Sequence, residues 1–191
     1  NPFKAVGCAS GLVEKKMKVD VILASSELAD EGSRNSKGIF FVQPGSYRVG
    51  KMRIEGFSAP HDRLGGRRYG MATIWKWEQA GLNFAHLGGS VMPLTTENKV
   101  LLGNPDVLII AVGGGSKVYT GKEAARVVKE LNPKRVLPVQ YIRQSPIPDE
   151  CDQTDVQPFL EAMNDVQVRK VGKTFTIQNR ISGPMIINLM D

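Results

Sequence analysis

The first half of the chain alternates apolar and polar positions at the two-residue spacing of strands. Val19–Leu23 is a short apolar run suited to a buried strand, and the polar stretch Ser25–Lys37 after it reads as loop or short helix. Ile39–Gln43 and Tyr47–Phe57 are strand-like, with Pro44-Gly45 as the turn between them, and Ala59–Gly70 is a loop by composition. Met71–Glu78 and Leu82–Leu87 flank Gln79-Ala80-Gly81, which predicts a hairpin. Farther on the spacing changes. Val107–Val112 is a continuous apolar strand, Gly113-Gly114-Gly115 a turn, and Lys122–Leu131 a helix with Ala124, Val127, Val128 and Leu131 on one face. Thr120 and Glu123 form a capping box at its start, Asn132-Pro133 stops it, and Arg135–Ile142 is the next strand. A second helix is expected at Asp155–Met163, with Thr154 and Gln157 as another capping box. Strands at Val166–Val171, Thr174–Gln178 and Met185–Leu189 follow. Strands that give way to a strand–helix–strand unit predict an α/β chain packed on a sheet.

Composition narrows the class. The chain has 191 residues, 41% of them hydrophobic, which fits one domain with a core of its own. No apolar run approaches the ~18 residues of a membrane span. Two cysteines, Cys8 and Cys151, argue against a secreted cross-linked module and fit a reducing compartment. The net charge of +6 is spread over small groups such as Arg63, Arg67 and Arg68, with no nucleic-acid motif beside them, so it reads as a solvated face. His86 sits in an apolar hairpin strand and reads as a hydrogen-bonded core residue. The glycine turn lacks the spacing of a phosphate loop. Trp75 and Trp77 face one side of a strand, in core or interface packing.

The punctuation between strands resembles the metallo-β-lactamase superfamily. Val-Asp-Val-Ile-Leu-Ala-Ser-Ser-Glu-Leu-Ala-Asp-Glu-Gly stands where that family carries a strand and Thr-His-x-His-x-Asp-His-Gly. Phe-Ala-His-Leu-Gly-Gly-Ser is similar to its His-x-Gly-Asp segment. Pro-Asp-Val-Leu-Ile-Ile-Ala-Val-Gly-Gly-Gly, the helix ending in Asn-Pro-Lys, and Pro-Val-Gln-Tyr resemble its closing stretch in the small bacterial hydrolase-like branch. The resemblance implies a four-layered αββα sandwich over residues 1–191. It also implies that the first strands are upstream or replaced by another chain, since the sequence opens Asn1-Pro2-Phe3, where the family's second strand ends. An uncovered sheet edge favours a protein partner or a second copy.

In the family that framework holds two zinc ions through imidazole and carboxylate, at about 2.0–2.2 Å, and the pair generates a hydroxide nucleophile. Matched position by position, the ligands fall on Ser26, Leu28, Asp30, Glu31, His61, Gly89 and Gln140. Only Asp30 and His61 keep the family's residue, while Leu28 and Gly89 offer no donor. Two ligands cannot complete a tetrahedral zinc site, so the resemblance implies a degenerate, non-catalytic member that needs no cofactor and serves as a structural, assembly or binding subunit. The alternative is a hydrolase with a mononuclear site from Asp30, Glu31 and His61, in which zinc would be retained. Asp30 could instead cap a turn, or the two carboxylates could pair with Arg63 or Arg67.

Overall fold

In the computed structural model, residues 19–26, 38–143, 147 and 151–190 are described. The strands are β1 (Val21–Leu23), β2 (Ile39–Phe41), β3 (Gly45–Val49), β4 (Met52–Pro60), β5 (Met71–Gln79) and β6 (Leu82–His86), followed by β7 (Val107–Ala111), β8 (Arg135–Val139), β9 (Gln167–Val171) and β10 (Ile186–Met190). The helices are α1 (Thr96–Leu102), α2 (Gly121–Leu131) and α3 (Gln157–Ala162). Eight strands form one mixed sheet in the order β3-β4-β5-β6-β7-β8-β10-β9, and β1 and β2 form a separate parallel pair. From β3 to β6 the neighbours are antiparallel, and from β6 onward they are parallel.

Alternation decides which face each side chain meets. Ile74, Ala85, Leu108, Ile110, Val136 and Ile187 point to one face and form the core with Ala124, Val127, Val128 and Leu131 of α2 and with Phe159. Trp75 points to the other face. Its indole N–H donates to the Ala24 carbonyl at 3.0 Å, and Phe41 stacks on Tyr47 with ring centroids 4.1 Å apart, so the β1–β2 pair covers that face. Three layers therefore stand among the described residues: helices, the large sheet and the small sheet.

The predicted capping box of α2 is present. Thr120 accepts from the Glu123 N–H, and Glu123 reaches back to the Thr120 N–H at 2.8 Å. Asn132, in the left-handed region at φ 46°, ends the helix. The second capping box does not form. Val156 is the N-cap of α3 with no side-chain bond, and the Thr154 hydroxyl points instead to the Gly113 and Asp155 carbonyls. Residues 174–178 are not a strand, and α1, capped by Thr95, lies where the sequence suggested no helix. Cys151 is disulfide-bonded, so the case against a cross-linked chain does not hold at this residue; the other cysteine, Cys8, lies outside the described residues. No helix among the described residues is long and apolar enough to cross a membrane.

Candidate functional site

Strands β4, β6, β7 and β8 all run the same way, so their C-terminal ends share one edge of the sheet. His61 follows β4, Gly89 follows β6 by three residues, the glycine turn follows β7, and Gln140 follows β8. Ser26 joins them through its neighbour: the Ser25 carbonyl accepts the Thr73 N–H at 2.7 Å, and a side chain at Gly88 would collide with Ser25. The fold thus brings Ser26, His61, Gly89 and Gln140 to one rim. Leu28, Asp30 and Glu31 lie outside the described residues.

The loop after β4 is built around one carboxylate. Asp62 accepts four backbone N–H bonds, from Leu64 (2.8 Å) and Gly66 (3.0 Å) on one oxygen and from Arg68 (2.8 Å) and Tyr69 (2.6 Å) on the other. Burial alone would push this carboxyl up, but the four bonds outweigh it and hold it below its ordinary range. Asp62 is therefore ionised and already committed to the loop backbone. An Asp beside a glycine-rich turn is the sequence signal for such a loop organiser, and here it lies in Pro60-His61-Asp62 ahead of Gly65-Gly66.

Beside it, the His61 imidazole is only 3% exposed, and its Nδ1 has no hydrogen-bond partner. Burial first, and then the charge of Lys117, lower its pKa against the opposing pull of Asp62, so the ring is neutral. The ring packs against the backbone at Gly89. A Cβ on Gly89 would lie 2.7 Å from Nδ1 and closer still to Cε1. The imidazole thus fills the space that a side chain at position 89 would need. Gln140 stands at φ 50°, and its carbonyl accepts the Gly113 N–H at 3.1 Å with no room for a Cβ on Gly113.

Two further links brace this rim, and neither was read from sequence. Arg63 grips Glu123 with both guanidinium nitrogens, at 2.6 and 2.9 Å, so the carboxylate that caps α2 also anchors the loop. That bond, aided by Thr120 and opposed by burial, holds Glu123 at about 2. Arg63 is thus committed to Glu123, and Arg67 Nε donates to the Leu64 carbonyl. Tyr119 donates to the Met92 carbonyl at 2.7 Å and meets Ser90 Oγ at 3.0 Å; burial pushes its hydroxyl up to about 12. His86 behaves as the sequence suggested: its Nδ1 accepts the Gly88 N–H at 2.8 Å, and burial holds the ring down to about 4.

Among the described residues the donors for a zinc centre are few: His61 Nδ1 keeps an unpartnered lone pair, but the Asp62 oxygens are taken by the loop backbone and Gly89 carries no donor, while Asp30 and Glu31 lie outside the described residues. No group of three or more His, Cys, Asp or Glu side chains gathers among the described residues.

The family model of the beta-lactamase superfamily domain matches residues 1–140. A Thermotoga maritima member of the metallo-β-lactamase superfamily, classed with Zn-dependent hydrolases, superposes with a TM-score of 0.73 at 24% identity, over 91% of this chain and 82% of its own. The metallo-β-lactamase fold protein YhfI from Bacillus subtilis gives 0.52 at 14% identity, over 88% and 61%. A metallo hydrolase from Ignicoccus hospitalis gives 0.55 at 17%, over 79% and 74%. None of the curated proteins matches significantly. The family match over most of the chain, on a mixed sheet of this kind, makes the protein a member of the metallo-β-lactamase superfamily.

Proposed function

We propose that this chain is a non-catalytic metallo-β-lactamase-fold protein, one domain over residues 1–191, that acts as a structural, assembly or binding subunit of a complex. The observation that carries the reading is the seat of His61. The matched imidazole within the described residues lies in the volume of the missing side chain at position 89, buried and without a partner on Nδ1. A working dinuclear site needs both groups side by side, and here one has taken the place of the other. Around this packed rim the Asp62 loop, the Arg63–Glu123 clamp and the Ser90–Tyr119 pair are intact, which supports selection on shape rather than on turnover. The exposed Ile39 and Phe40 on β2 offer apolar contact to a protein partner or a second copy.

The test is metal content by plasma mass spectrometry, on protein purified without chelator or nickel and then incubated with Zn²⁺, Mn²⁺ and Fe²⁺. A ratio near zero is expected. A tightly held ion near one per chain overturns the reading and points to a mononuclear hydrolase, whose turnover His61→Ala would abolish. Size-exclusion chromatography with light scattering tests the partner: a monomer that yields no specific cross-links in its native extract refutes the assembly role.

A further inference from the structure

We propose that the outer edge of β9, together with the cavity at its C-terminal end, receives the acidic C-terminal tail of a partner protein as a further strand of the large sheet. β9 is the last strand in the sheet order. It pairs in parallel with β10 from Gln167 to Val171 and with no strand on its other side among the described residues. Gln167, Val168, Arg169 and Lys170 are all exposed. A strand so placed carries a row of backbone N–H and C=O groups with which an extended chain can pair. The proposal deepens the binding role and rests on that reading for the existence of a partner. It does not rest on the rim, because five strands stand between β9 and β4, the strand that leads into His61.

A cavity of about 340 Å³ opens where β9 and β10 end and α3 begins. Its wall combines Lys170 of β9, Leu189 and Met190 of β10, Val156 at the start of α3, and Tyr141 and Arg143 beyond β8. The Arg143 guanidinium lies 5.4 Å from the centroid of the Tyr141 ring, a cation–π contact that steadies it at the wall. Asp155 also borders the cavity, but its Oδ1 already accepts the Gln157 N–H at 2.9 Å. No ion pair among the described residues engages Arg143, Arg169 or Lys170. The cavity thus offers two uncommitted cations beside apolar side chains.

Charge selects the occupant. Arg169 and Lys170 stand on opposite faces of β9 by alternation, and Lys173 follows them, so a strand added here meets positive charge on either face. The Arg169 charge even reaches Arg135 across β10, where, after burial, it lowers the pKa of that guanidinium. A second copy of β9 would bring its own Arg169 and Lys170 against these, and like charges set opposite one another are destabilising. The edge therefore turns away a copy of itself and admits an acidic strand, with Val168, 41% exposed, as its apolar contact. Direction follows from the cavity. The neighbours from β6 onward are parallel, and a strand that continues the run ends beside Lys170 and Arg143, where its terminal carboxylate enters. An antiparallel strand would bring an amino terminus to the same two cations.

Fluorescence anisotropy tests this with the full chain and a short peptide that carries fluorescein at its N-terminus, alternates glutamate with valine and ends in a free carboxylate. The peptide should bind, and more weakly as salt is added. Amidating its C-terminus should weaken binding roughly tenfold, and Lys170→Gln and Arg143→Gln about three- to tenfold each. Both side chains are exposed and outside the core, so these variants keep the fold. Arg53→Gln, on β4, should leave affinity unchanged. Methylating alternate peptide nitrogens separates strand addition from charge attraction, because only every second N–H of an added strand faces β9. One methylation set should abolish binding and the other spare most of it. Equal loss from both sets, full affinity of the amidated peptide, or equal binding of a lysine–valine peptide overturns the proposal. Metal content of the same preparation reads the non-catalytic role separately. Binding by a chain that holds an ion upholds the edge and overturns that role, whereas a metal-free chain that ignores the peptide overturns the edge and leaves that role standing.

Discussion

Giving Gly89 a single methyl group isolates the packing of His61 against position 89 on which the proposed function rests. Gly89 is outside the left-handed region, so alanine fits its backbone and would by itself gain about 0.4–1 kcal/mol through the unfolded chain. The methyl, however, would stand 2.7 Å from His61 Nδ1 and nearer to Cε1, so the ring or the turn must move. Overpacking of this kind costs about 1–3 kcal/mol. Gly89→Ala is therefore expected to destabilise by about 1–2 kcal/mol, which lowers Tm by about 2–8 °C for a chain of this length. In a His61→Ala background the obstacle is gone, and the same substitution should be neutral or stabilising. The coupling energy across the four proteins, from urea unfolding, should be about 1–3 kcal/mol, with the double variant more stable than the two single effects predict. If Gly89→Ala is harmless in the parent protein, or equally costly in both backgrounds, the imidazole does not occupy the side-chain space of position 89, and the argument built on it fails.

Other substitutions test the braces around the rim. Glu123→Ala should cost more than Arg63→Ala in urea unfolding, about 1–2 kcal/mol against under about 1, because the carboxylate also caps α2. Equal costs would mean that the cap carries no weight. The folded His86 titrates near 4, below its ordinary 6.5, so the unfolded chain takes up the proton first. Its contribution to stability is whole above pH 6.5 and declines as pH falls towards 4. His86→Gln should flatten that limb of the urea midpoint against pH. Asp62 is also held low, so its contribution is whole above its ordinary 3.8 and is lost as pH falls below that value. Asp62→Asn should lower stability at neutral pH and flatten the most acid limb, and an unchanged acid limb would argue against the four backbone bonds.

What the sequence made legible is what local patterns encode. The strand from Val107, the glycine turn, the capped helix and the strand from Arg135 each carry their own signal, and all four are present. Helix α1 has no such signal, since Val100 is 75% exposed and only Asn98 and Leu102 are buried, leaving no apolar face to count. Residues 174–178 are strand-like in composition, but they pair with no strand among the described residues, even though β9 leaves an open edge. The second capping box failed for a tertiary reason: Thr154 is drawn to the Gly113 carbonyl, 41 positions away. In the site, the sequence suggested, by resemblance, which positions match the family's ligands. It could not show that His61 had settled against Gly89, or that Asp62 was spent on its own loop, because both depend on strands that meet only in the folded sheet.

The Asp62 loop has a consequence for what its outer surface can become. Its path is dictated from inside, by one carboxylate gathering amides and by glycines at φ 71°, 87° and 76° at positions 65, 66 and 70. The outward side chains of Leu64, Arg67 and Arg68 are exposed and contribute none of those four bonds. Shape and lettering are thus written by different atoms. New letters can be tried at 64, 67 and 68 on a loop whose contour stays the same, which is how a scaffold acquires a vocabulary of recognition without renegotiating its architecture.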